Sequence, residues 1–146
     1  MQFLTKNEIP VQVSVKTTIN GADPMELIVF GRYYQKEKAV YLQYEEVLEE
    51  VGTVRTTVKV SKEDMLILRT GAIKMRLPFR LQETLKGSYE LPLGAFETTT
   101  TARKMDYTDH GNNSGRIEIV YDFEMQGSPA GTFHLEILFH PDHSDE

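Results

Sequence analysis

Apolar residues recur at every second position through most of this chain, and no ten-residue window carries a convincing period of 3.6. Val11, Val13, Val15, Thr17 and Ile19 alternate with polar residues. So do Val54, Thr56, Val58 and Val60, then Ile117, Ile119, Tyr121, Phe123 and Met125, then Phe133, Leu135, Ile137 and Phe139. A side-chain period of two belongs to a strand with one buried face, because successive Cβ atoms point to opposite sides of a sheet. The pattern therefore predicts a sheet protein.

The breaks between these runs are short. Asn20-Gly21 with Ala22-Asp23-Pro24, Lys36-Glu37-Lys38, Gly52 after Glu45–Glu50, Ser61–Asp64, Pro92 to Gly94, His110–Gly115 and Gly127–Gly131 are turn signals. Gly31 sits inside an otherwise regular run and predicts a bulge or sharp bend. Pro78 predicts a bend or a stop. The weakest segment is 81–89, where Gln82–Lys86 reads either as one helical turn or as an irregular edge strand. Thr98-Thr99-Thr100-Thr101 favours a strand, since branching at Cβ suits a pleat. About eight to ten short strands joined by hairpins predict an all-β domain over residues 1–146, with a polar tail at 140–146. A closed, antiparallel, up-and-down barrel is favoured over an open sandwich because closure removes the sheet edges.

The clearest hairpin is Met65–Arg69 and Ala72–Leu77 about Thr70-Gly71. A two-residue link pairs Arg69 with Ala72 and Leu68 with Ile73. That register puts Leu66, Leu68, Ile73, Met75 and Leu77 on a core face. Met65, Ile67, Arg69, Lys74 and Arg76 fall on a second, mixed and basic face, suited to water or to a polar cavity.

Of the 146 residues, 16 are basic and 22 acidic, a net charge of −6. This argues against non-specific nucleic-acid binding, which draws its affinity from phosphate neutralisation. The absence of cysteine removes disulfides, thiol nucleophiles and thiolate metal sites together and fits a reducing cytoplasm. The first residues, MQFLTKNEIPVQV, show no signal-peptide pattern, and no run approaches the length of a membrane helix. The expectation is a cytoplasmic domain that engages neither membrane nor nucleic acid.

Val58-Lys59-Val60-Ser61, the run Leu66 to Met75 with its Arg69-x-Gly71-x-Ile73-x-Met75 core, and Phe79 resemble the YwiB-like family of uncharacterised bacterial proteins. Tyr89, Gly94, the threonine run, Gly115-Arg116-Ile117 and Tyr121 follow in the family's order. The resemblance implies a calycin-like barrel, the shape of lipocalins and fatty-acid-binding proteins. It brings no catalytic residues with it. The lipocalin Gly-x-Trp signature is absent, because the chain has no tryptophan.

A barrel of this size either fills with side chains or holds one small ligand. Seven Tyr and seven Phe could line an apolar cavity with polar handles. Tyr33, Tyr44 and Tyr121 are the candidates among them, with Tyr41 and Tyr89 also on strands. The same rings could equally fill a core. Arg69, Lys74 and Arg76 are the candidate anion contacts, since guanidinium forks suit carboxylates and phosphates. A solvated outer face paired with Glu45–Glu50 explains them as well.

His134 points away from Phe133 and Leu135 and reads as outward. His140, His143 and Asp142 in the tail make no convincing metal site. No Gly-x-Ser-x-Gly, P-loop or dinucleotide fingerprint appears, so no catalytic, metal or cofactor site is assigned. The leading expectation is a non-catalytic binder of a small amphipathic or anionic molecule. The alternatives are an interaction module or homodimer, and then an enzyme with a site at the barrel mouth.

Overall fold

The computed structural model describes residues 8–142. His143 and the end of the tail lie outside them. Ten strands run in sequence: β1 (Ile9–Ile19), β2 (Met25–Lys36), β3 (Ala39–Leu48), β4 (Gly52–Val60), β5 (Asp64–Gly71), β6 (Lys74–Arg80), β7 (Thr84–Leu91), β8 (Gly94–Gly111), β9 (Ser114–Met125) and β10 (Ser128–Pro141). Each pairs antiparallel with its neighbours in the chain, and β10 returns to β1, closing the barrel. The described residues contain no helix.

The turns follow from their residues. Glu37-Lys38, Asn112-Asn113 and Gln126-Gly127 all take positive φ at both positions, as a two-residue turn that continues the right-handed strand twist requires. Nine turns join the ten strands, five at one end of the barrel and four at the other. One end carries residues 20–24, 49–51, 72–73, 92–93 and 126–127, and the other the remaining four turns, the start of β1 and the end of β10.

Inside, the alternation read from the sequence closes into one core. Leu42, Val58, Phe79, Ile117, Ile119, Ile137 and Phe139 are almost wholly buried, and Phe79 packs edge-on against Tyr121 at 4.8 Å. This middle layer separates two chambers, one at each end.

Three expectations need correction. In the β5–β6 hairpin Arg69 pairs with Met75, not Ala72, and Ile67 with Leu77. Thr70 and Gly71 remain in the ladder with β4, and the Ala72 amide donates to the Thr53 carbonyl at 3.0 Å, so reversal falls on Ala72-Ile73 instead. The shift turns the face of β5 over. Met65, Ile67 and Arg69 point inward with Met75 and Leu77, while Leu66 and Leu68 face out with Lys74 and Arg76.

Segment 81–89 is not helical, and its residues 84–87 pair with β8 alone, so the irregular-edge alternative holds locally. Its strand, β7, lies between β6 and β8. Pro78 does not end β6, which runs on to Arg80 against β5. The proline instead coincides with the end of the β6–β7 ladder, which stops at Arg76–Ser88. There the Thr100 hydroxyl donates to the Pro78 carbonyl and bridges the gap. Gly31 makes no bulge, for its ladder to β1 runs through unbroken, but the ladder to β3 ends at Gly31–Tyr44, where the two strands part. The glycine is needed because a Cβ there would collide with the Gln43 carbonyl oxygen and crowd the Tyr44 Cβ.

Candidate functional site

Neighbouring strands place Tyr44, Thr56, Arg69 and Met75 in one row of register partners, all on the inner face. Arg69 is inward because it shares parity with Met65 and Ile67. Glu46 shares parity with Leu42 and Tyr44 and turns inward too. The Arg69 Nη2 group donates to Glu46 Oε1 at 2.8 Å, and the side chains are only 25% and 17% exposed. An ion pair thus lies within a chamber of about 350 Å³ whose other walls are Leu27, Ile67, Leu77, Tyr121, Phe123 and Phe133.

The Tyr44 and Tyr121 side chains there are buried. Burial, then the nearby Glu46 carboxylate, pushes the Tyr44 phenol up to about 12. It leans toward Thr56, whose hydroxyl is buried and completes no hydrogen bond of normal geometry. Burial likewise raises Tyr121. Tyr121 stacks on Phe133 at 5.4 Å, which sets one aromatic wall. The chamber therefore offers guanidinium and phenol donors, a carboxylate acceptor and an apolar lining.

The rim of this mouth is apolar and acidic. Met25, Val47, Val51 and Leu93 stand 61%, 78%, 51% and 101% exposed around it. The turns at this end carry Asp23, Glu49 and Glu50 and no lysine or arginine.

The six candidate residues divide. Arg69, Tyr44 and Tyr121 meet in this chamber. Tyr33 points inward at the other end, stacked on Phe139 at 4.9 Å and accepting from Gln35 Nε2 at 3.0 Å. That end has its own opening of about 680 Å³, lined in part by Met65, Arg80, Met105 and Tyr107. Burial, then the Tyr33 phenol, raises Tyr107. Lys74 and Arg76 are exposed on the outer wall, so the three basic residues do not share a face. Of the other strand tyrosines, Tyr41 stacks outside on Tyr34 at 4.9 Å and Tyr89 lies against Phe96.

Glu46 and Thr56 complete the chamber and were not singled out in the sequence. Glu46 was read as part of an exposed acidic loop, but β3 continues through it to Leu48. Its parity with Tyr44 was the available signal.

A second polar cluster crosses the outer wall of β8, β9 and β10. The Glu118 carboxylate accepts from Arg116 Nη1 at 3.0 Å and from Lys104 Nζ at 3.1 Å, and lies 2.6 Å from His134 Nε2. Arg116 also binds Glu136 at 2.7 Å. The Arg116 hydrogen bond, helped by His134 and Lys104 and opposed by burial, holds the Glu118 carboxyl down near about 2. Glu118, His134 and Glu136 could converge on a cation. Arg116 and Lys104 already occupy Glu118 Oε1 and His134 lies on Oε2, so the cluster reads as a latch across three strands. His134 faces outward as expected.

Similarity to known proteins covers nearly the whole chain. The uncharacterized beta-barrel protein YwiB of Bacillus subtilis (strain 168) is 35% identical over 137 residues, covering 92% of this chain and 95% of that protein. The crystal structure of the ywiB protein from Bacillus subtilis superposes with a TM-score of 0.82 at 30% identity, covering 94% of both chains. Residues 11–137 match the family described as a domain of unknown function, DUF1934. With the barrel, the sequence and the matched span in agreement, the chain belongs to the DUF1934 family, of which YwiB is a beta-barrel relative.

Proposed function

We propose that this protein is a non-catalytic binder that receives a small amphipathic molecule in the chamber holding Arg69 and Glu46. The observation that carries the reading is the ion pair itself. It lies inside an otherwise apolar and aromatic chamber that is not filled by side chains. Desolvating two charges costs several kcal/mol per ion in a dry interior, and a well-packed apolar pair would serve stability as well or better. A pocket of a few hundred Å³ with a few convergent polar groups is the usual form of a small-molecule site. The calycin-like shape implied by the resemblance would serve the same use.

The chemistry narrows the ligand class. Glu46 already offsets the Arg69 charge, and the acidic turns at the mouth repel a strong anion. The favoured head group accepts from Arg69 and donates to Glu46, as a primary amide does. Its tail lies along Leu27, Ile67 and Phe133, and the exposed apolar rim eases its entry. An anionic head is the weaker half of the expectation.

The test is an NMR titration with octanamide, octylamine and octanoate, which share a tail length and differ in head group. Shifts at Tyr44, Ile67 and Tyr121, largest for the amide and reduced in Arg69→Met, are expected. The absence of a shift at these residues with all three compounds would sink the reading.

A further inference from the structure

Closure of the barrel leaves a long stretch of strand edge uncovered. β8 runs from Gly94 to Gly111, but its ladder with β7 reaches only to Thr84–Thr101. Just beyond, Leu81 bridges to Ala102, and the Gln82 amide donates to the Ala102 carbonyl. Over 103–111, β8 pairs with β9 alone, the longest run of unpaired edge among the described residues. Bulges at Ala102/Lys104 and Asp109/Gly111 bracket its regular part, 104–109. On such an edge alternate main-chain N–H and C=O groups point away with no partner in the sheet.

This edge borders the second chamber. Met105 and Tyr107 turn inward from it, since they pair with the buried Ile119 and Ile117. With Met65 and Leu81 they line the opening of about 680 Å³. Lys104, Asp106 and Thr108 stand exposed on the outer face of the same run. The gap where β6 and β7 part offers no such place. Pro78 has no N–H, the Thr100 hydroxyl donates to its carbonyl, and Gly87 lies close against the Arg76 backbone.

We propose that the free edge of β8 receives an extended peptide segment, which pairs with 104–109 in the place a longer β7 would take. Every second side chain of that segment enters the second chamber. Main-chain pairing supplies the affinity in this mode of recognition, and the pockets for alternate side chains supply the selectivity. The bulges limit the added strand to about 20 Å, roughly six residues. Its inward side chains are apolar, because Met65, Met105, Tyr107 and Leu81 receive them, and the two thioethers adapt to more than one shape. Its outward side chains are polar, beside Lys104, Asp106 and Thr108. This site is independent of the chamber that holds Arg69 and Glu46.

The probe is the soluble peptide acetyl-Lys-Thr-Leu-Thr-Val-Thr-Lys-amide, titrated to about 1 mM into the isotope-labelled full chain and followed by NMR. Shifts at 104–109 and at the Met65 and Met105 methyl groups are expected, with slowed exchange of the β8 amides that point away from β9. Two further peptides keep every side chain. One is N-methylated at its Leu and Val, the other at its Thr residues. In a strand these two sets of amides face opposite edges, so one version binds at least about 10-fold more weakly and the other matches the parent. Leu81→Asp changes a side chain that is 49% exposed. It weakens the parent peptide about 10-fold and leaves the thermal melt unchanged. No shift at 104–109, equal binding by all three peptides, or indifference to Leu81→Asp would overturn the proposal. So would edge amides already protected in the free protein, whether by another segment of the chain or by a second copy.

Discussion

Arg69 shows what a single residue decides. In the sequence it stood with Lys74 and Arg76, yet the structure turns it inward alone, onto Glu46. Removing one partner leaves the other charge half-buried and unpaired. Arg69→Met should therefore cost about 1–2 kcal/mol in a denaturant melt, and adding Glu46→Leu should recover most of that. Recovery by the double variant separates a binding role for the pair from a stabilising one. Tyr44 makes a pH prediction. Its ordinary value is 10.0 and the folded barrel raises it to about 12. The folded state therefore keeps a proton that the unfolded chain releases. The resulting stability is complete below pH 10 and is lost as pH rises through about 12. Tyr44→Phe should flatten the alkaline limb of a pH-stability curve. Tyr44 and Tyr121 were legible as strand aromatics. Glu46 was not, because a run of glutamates near a turn normally marks solvent, and here closure of β3 on β4 carries it inside.

At the scale of elements, the strands were legible where alternation was strict. β1, β4, β9 and β10 take the inward faces read for them. The β5–β6 hairpin was not, since Thr70-Gly71 has the composition of a tight turn. Its backbone is claimed by the preceding strand, β4, whose Arg55 and Val54 pair with Thr70 and Gly71, a contact the two-residue turn pattern does not weigh. β7 was obscured for a related reason. Its side chains alternate poorly, and Gly87 packs where a Cβ would collide with the Arg76 carbonyl and crowd Pro78. Gly31→Ala tests this kind of close approach. It should cost about 2–4 kcal/mol in a thermal or chemical melt, because the Gln43 backbone cannot yield as a flexible side chain could. The Glu118 latch predicts the acid limb. Its carboxyl, ordinarily at 4.5, is held near about 2. The folded state thus favours the charged form. That contribution is complete above pH 4.5 and disappears as pH falls toward about 2. Glu118→Gln should destabilise the protein at neutral pH and remove part of the acid dependence between those values, as urea melts at a series of pH values would show.

For the whole molecule, alternation without a helical period, short turns and the need to hide sheet edges were enough to indicate a closed up-and-down barrel. The ten strands fall within the eight to ten read from the sequence, and only the β10–β1 closure and the packing of the middle layer bring distant segments together. That middle layer divides the interior into two chambers, and the proposed function takes the one at the β1–β2 turn end, which holds the inward ion pair, as the place for a ligand. Native mass spectrometry of untagged protein purified from its own cell tests that claim most directly. A reproducible extra mass on the wild-type chain, released on denaturation and lost from Arg69→Met, is the predicted result. A wild-type mass with nothing bound, or an adduct that persists unchanged in Arg69→Met, would contradict it.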